Sequence, residues 1–125
     1  METIKKGSFT IEADQGQAVI MIKSRVFGLL DQAISFRALC EELRTKGHKF
    51  IAVDLSEAES INQEGIGALL VQLKKTKEVG GKLVLCSCSV GVHKKITETK
   101  LQEVFSCFDS QEEALASFTT EGTPS

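Results

Sequence analysis

The chain has 125 residues, 42% of them apolar, with a formal net charge of -2 and a sequence pI of about 5.7. That length supports one hydrophobic core, and the balanced charge removes the general electrostatic pull toward nucleic acid or an anionic membrane. The longest apolar runs, such as Ala18 to Ile22, fall well below the roughly 20 residues that span a bilayer, and METIKKGSFTIE carries a basic pair with no apolar stretch before Glu12 and Asp14, so a cytoplasmic protein without membrane insertion is expected.

SFTIEADQGQAVIMIK alternates around Phe9 and Ile11, breaks at Asp14-Gln15-Gly16 and resumes as a β-branched run to Ile22. This spacing predicts a hairpin with Gly16 in its turn, the first strand an edge and the second a central strand covered on both faces. From Asp31 the period changes: Phe36, Leu39, Cys40 and Leu43 make a helical stripe that Gly47 ends. KFIAVDL then reads as a buried strand bounded by Ser56 and Glu57. Beyond it, Ile66, Leu69, Leu70 and Leu73 form the apolar face of a second helix, with Gln72, Lys74, Lys75, Lys77 and Glu78 on the remainder and Gly80-Gly81 as the stop.

KLVLCSC is the next buried strand, with Cys86 and Cys88 expected on one face of it. A short helix follows with Val92 and Ile96 inward, then a strand at VFSCF. Ser110 and Glu113 have capping-box spacing ahead of a closing helix that buries Ala114, Leu115 and Phe118. Residues 1–118 are thus expected to form one domain, and Thr119 to Ser125 a frayed tail. The order β-β-α-β-α-β-α-β-α argues an α/β fold: a small, mostly parallel mixed sheet with an antiparallel first strand and about four helices.

The four cysteines fall on apolar segments and read as free thiols. A C-x-C pair without a second pair is a poor zinc signature. His48 and the Lys74, Lys75 and Lys77 stripe read as solvent-facing. No nucleophile–base pairing, Gly-x-Ser-x-Gly elbow or dinucleotide loop occurs, so no catalytic residue and no cofactor is assigned.

The informative stretch is SINQEGIGALL, at the carboxyl end of a parallel strand, where loops of such sheets meet ligands and partners. Asn62 suits the N-cap of the second helix, and Glu64 falls in its first turn, where unpaired N–H groups favour an anion. Gly65 and Gly67 each weaken a helix by about 1 kcal/mol relative to alanine. A reason for them is needed, and close approach of another backbone or a partner would supply it. The plain alternative is that Asn62 and Glu64 only cap the helix while the glycines let it pack tightly on the sheet.

FIAVDLSEAESINQEGIGALLVQLKK resembles the core of STAS domains, the group named for sulfate transporters and anti-sigma factor antagonists. Their pattern is an apolar strand, Asp-Leu-Ser, a short spacer, an apolar residue, then Asp-Ser-Ser (or Thr)-Gly and an apolar-Gly helix start. Asp54-Leu55-Ser56, Ile61, Gly65-Ile66-Gly67 and Leu69-Leu70 match it. The likeness continues through GGKLVLCSCSVGVHKKITETKLQEVFSCFDSQEEAL, covers about Val19 to Phe118, and implies a small mixed sheet with packed helices.

Stand-alone members of the anti-sigma factor antagonist type bind a sigma-sequestering serine kinase, and phosphorylation of the serine just before the glycine ends that binding. This chain has Glu64 there, Gln63 before it and Asn62 in place of the aspartate. Glutamate has no hydroxyl to phosphorylate; its charge of about -1 has the sign of a phosphate and less than its -1.5 to -2. The resemblance therefore implies a non-enzymatic interaction module in which switching at Glu64 is either lost or mimicked. Its partner-binding stretch is Ser56 with Asn62, Gln63, Glu64, Gly65, Ile66 and Gly67, and its partner an anti-sigma factor or serine kinase-like ATPase. The other implied role is a cytoplasmic regulatory subunit of a transporter or lipid-transport ATPase. Two further departures are Arg25 and Phe27, near where relatives carry acidic residues and where a loop of the partner surface lies, and Thr99-Lys100-Leu101 in place of Thr-Gly-Leu.

Overall fold

The computed structural model describes residues 2–122. Eight strands and four α-helices follow in the order β1 (Glu2–Lys6), β2 (Phe9–Asp14), β3 (Gln17–Ile22), β4 (Val26–Phe27), α1 (Leu30–Thr45), β5 (Phe50–Asp54), β6 (Ser60–Ile61), α2 (Gln63–Glu78), β7 (Lys82–Cys86), α3 (Val90–Glu98), β8 (Cys107–Phe108) and α4 (Gln111–Gly122), with a 3-10 turn at Leu101–Glu103. The main sheet has six strands in the order β1-β2-β3-β5-β7-β8; the first two pairings are antiparallel and the other three parallel. The expected mixed architecture holds.

The period-two alternation of β3, β5 and β7 splits the core. Ile20, Ile22, Ile51, Val53, Leu83 and Leu85 join the larger cluster with Phe36, Leu39, Leu43, Leu69, Val92 and Ile96, on the side of α1, α2 and α3. Val19, Ala52, Val84 and Cys86 face the other way, against Ala114 and Phe118 of α4. The strands are covered on both faces, which is why they read as continuous apolar runs.

Several expectations need correction. The first hairpin strand, β2, is not an edge, because β1 pairs along its outer side from Glu2↔Ala13 to Lys6↔Phe9; the lysines of ETIKK hid that strand. Gln72 is not on the solvated face of α2: it is 1% exposed, and its side-chain oxygen accepts a hydrogen bond from Arg44 Nη1 at 2.8 Å. The polar group is buried because it is paired. Cys86 and Cys88 do not share a strand face, since β7 ends at Cys86 and Ser87 turns the chain with φ of 54°. The last strand is two residues long, Val104 and Phe105 forming instead the exit from the 3-10 turn. His48 is half-buried, with Nδ1 enclosed and, among the described residues, without a hydrogen-bond partner. Helix α4 continues to Gly122, past the boundary expected at Phe118, and the remainder of the expected tail lies outside the described residues.

The hairpin turn at Gln15-Gly16, the C-terminal stops at Gly47 and Gly80, and the inward placement of Val92, Ile96, Ala114 and Phe118 are as expected. Among the described residues, no helix is long and apolar enough to cross a membrane.

Candidate functional site

The second helix enters from a loop held on three sides. β5 ends at Asp54, whose Oδ1 accepts from the Ser56 N–H at 2.8 Å while Oδ2 accepts from Gln111 Nε2 of α4 at 2.6 Å. One buried carboxylate thereby fixes both the start of the loop and the closing helix. Ala58 is buried, and its carbonyl accepts from Ser89 Oγ at 2.5 Å, which ties the loop to the start of α3. The chain then pairs as β6 with β4, Val26↔Ser60 and Phe27↔Ile61, in a two-stranded parallel ribbon that sequence periodicity is too short to announce.

That ribbon delivers Asn62 to the N-cap. Its N–H donates to the Phe27 carbonyl at 3.1 Å, and its Oδ1 accepts from the Gly65 N–H at 3.0 Å. Phe27 is anchored in turn by edge-on packing with Phe36 and Phe9, ring centroids 5.4 and 6.4 Å away. Gln32, itself buried, accepts from the N–H groups of Gly28 and Leu29 at 2.9 and 3.0 Å and donates to Ser24 Oγ at 2.8 Å. The β4–α1 connection is thus fixed against the mouth of α2.

Two glycines permit that fit. Gly28 has φ of 128°, and a methyl on it would overlap the Asn62 amide, with Cγ at 2.6 Å. A methyl on Gly65 would overlap the Phe27 carbonyl and come within 2.8 Å of Ile61 Cγ1. Gly67 is different, because a methyl there would meet nothing within 4 Å.

Of the residues the sequence placed on the partner-facing stretch, Ser56, Gln63 and Glu64 are exposed, and Asn62 and Gly67 are half-buried. Gly65 and Ile66 are buried, so in the free chain their part is packing. Arg25 is exposed and its Nε donates to Glu59 at 2.5 Å, whereas Phe27 belongs to the core and not to a surface loop. Glu64 sits in the first turn of α2, and among the described residues its carboxylate makes no hydrogen bond or ion pair. Asn62 already holds the cap, so Glu64 contributes there only through the helix dipole.

Glu64 stands at one end of a groove of about 420 Å³ between α1 and α2, lined also by Ala33, Arg37, Gly67, Ala68 and Val71. Val71, one α2 turn beyond Gly67, is 47% exposed; the groove's remaining lining is Gln72 and the cationic Lys75. Sequence reasoning missed this groove, although Val71 stands out as an aliphatic residue off the buried face of α2.

Known proteins agree with this architecture. A candidate anti-sigma factor antagonist of Thermotoga neapolitana is 27% identical over 97 residues, covering 78% of this chain and 86% of that protein. The crystal structure of a candidate anti-sigma factor antagonist from Thermotoga maritima superposes with a TM-score of 0.76 at 22% identity, covering 89% of this chain and 94% of the other. The anti-sigma factor antagonist SpoIIAA in its unphosphorylated form gives 0.72 at 20% identity, covering 94% and 99%. The family model described as the STAS domain matches residues 10–114, and the chain therefore belongs to the STAS domain family.

Proposed function

We propose that this chain is a protein-interaction module of the anti-sigma factor antagonist kind, which binds rather than catalyses and whose docking surface is the mouth of α2 with the adjoining α1–α2 groove. The observation that carries this reading is the setting of Glu64. An exposed carboxylate occupies the first turn of a helix whose cap Asn62 already fills, beside a groove between α1 and α2 that joins small apolar side chains, Ala33, Ala68 and Val71, to the cations Arg37 and Lys75. The name shared by the relatives described above supports an anti-sigma factor as the partner, and the resemblance adds that it is a serine kinase-like ATPase.

At this position the resemblance implies a phosphorylatable serine. A glutamate keeps a fixed charge of about -1 where a phosphate would bring -1.5 to -2. The module is therefore permanently anionic at the helix mouth and has no covalent switch there. Incubating the chain with purified serine kinases of the sigma-sequestering type and ATP tests this. The native protein is expected to take up no phosphate on residues 56–67, and Glu64→Ser to gain a phosphate on the new hydroxyl. Phosphate on Ser56 or Ser60 of the native chain would refute the switchless reading, and failure of every such kinase to bind would refute the class of partner.

A further inference from the structure

β7 leaves the sheet at Cys86, and the left-handed Ser87 swings Cys88 round to the side of the larger cluster, against which it packs. Alongside, β8 pairs Leu85 with Cys107 and Cys86 with Phe108, and the Ser87 N–H donates to the Phe108 carbonyl at 2.9 Å. Residues opposite one another in a ladder share a face, so Cys107 lies on the Leu85 side, the side to which Cys88 has turned. The two cysteines line one small cavity of about 150 Å³ with Ser87, His93, Phe108 and Asp109. Cys107 is exposed and Cys88 half-buried, whereas Cys40 and Cys86 are fully enclosed.

The geometry points to Cys88 and Cys107 as a reversible dithiol–disulfide site, oxidised by hydrogen peroxide. Their roles differ. The neighbouring Cys88 thiol holds Cys107 below the ordinary thiol range, and Cys107, with burial, raises Cys88. Cys107, the exposed sulfur of the two, is the one that peroxide reaches first. Its thiolate attacks the peroxide O–O bond, giving a sulfenic acid on Cys107 and a hydroxide that takes up the thiol proton as water. Cys88 then attacks the sulfenic sulfur, and its proton leaves with the hydroxyl as a second water. Two thiols and one peroxide become one disulfide and two waters, and an external dithiol reverses the reaction.

The test is equimolar peroxide on the reduced full chain, followed by intact mass and non-reducing tryptic mapping. A loss of about two mass units is expected, reversed by dithiothreitol, with residues 83–94 cross-linked to the peptide that carries Cys107. The link should vanish in Cys88→Ser and in Cys107→Ser, each first shown folded by circular dichroism. Dimedone should trap sulfenic acid on Cys107 in Cys88→Ser, and none on Cys88 in Cys107→Ser. An unchanged mass, a link through Cys86, a link between two chains, or dimedone on Cys88 would overturn the assignment.

Discussion

The two glycines at the start of α2 look equivalent in the sequence, and the structure assigns them opposite responses to the same substitution. At Gly67, a helix-interior position where a methyl meets nothing within 4 Å, alanine should add the propensity difference, about 0.8–1 kcal/mol of stability. At Gly65 the same methyl runs into the Phe27 carbonyl and Ile61. That carbonyl is no flexible side-chain tip: it accepts from Asn62 N–H at 3.1 Å and continues the β4–β6 ribbon. Moving it sacrifices a hydrogen bond worth about 1 kcal/mol, and overpacking typically adds 1–3 kcal/mol. After the propensity gain is subtracted, Gly65→Ala should lose about 1–3 kcal/mol.

The chain has no tryptophan or tyrosine, so urea unfolding is best followed by far-ultraviolet circular dichroism. With a urea slope of about 1–3 kcal/mol per molar, Gly67→Ala should raise the midpoint by roughly 0.5 M, and Gly65→Ala should lower it by about 1 M. Shifts of the same sign in both variants would refute the argument that Phe27 packs against the mouth of the helix.

Asn62→Ala removes the side-chain cap of α2 and should cost about 1 kcal/mol in the same assay. Lys100 holds φ of 59° in an exposed turn. Lys100→Gly relieves a left-handed conformation that costs an L-residue about 1–2 kcal/mol, so after the entropy of glycine it should gain up to about 1 kcal/mol; a loss of stability would count against it. Burial pushes the thiols of Cys40 and Cys86 up to about 12. A pulse of iodoacetamide at pH 8 should therefore modify Cys107 first and leave Cys40 and Cys86 intact until urea unfolds the chain, as read by peptide mass. Glu42, hydrogen-bonded by Lys6, has its carboxyl held below the ordinary range. Its contribution to stability is present above the unfolded-state value and fades as pH falls through the folded one, and Lys6→Met should flatten that acid limb of a stability–pH profile.

What the sequence disclosed followed the length and regularity of each signal. β3, β5 and β7 announce themselves as continuous apolar runs because both faces are covered, and α1 and α2 carry enough turns for a stripe to register. β4 and β6 have two residues each, too few for any period, although they set the position of Asn62. The Asn62 cap was legible from residue type and spacing; the reason for Gly65 was not, because Phe27 lies 38 positions earlier in the chain (65 less 27). Gln72 failed for a related cause, since its partner Arg44 lies on another helix and an unpaired glutamine would belong in water. Cys107 gave no sign of neighbouring Cys88 until the pairing of β7 and β8 was known.

Glu64 itself is nearly silent in the energetics of the free chain. Its carboxylate is exposed and interacts with a dipole end whose cap is already filled, an effect of about 0.3–1 kcal/mol that salt screens. The same charge carries a different weight when another surface covers it. A second unit charge 4 Å away interacts by about 1 kcal/mol in water and about 4 kcal/mol at the effective dielectric of about 20 found near protein surfaces. A charged partner docked on the proposed surface would thus read the sign of residue 64 several times more strongly than folding does. Glu64→Gln should therefore leave the urea midpoint within about 0.5 kcal/mol of the native value while changing partner affinity about tenfold or more, the equivalent of about 1.4 kcal/mol. Equal small effects on both would remove the mouth of α2 from the docking surface.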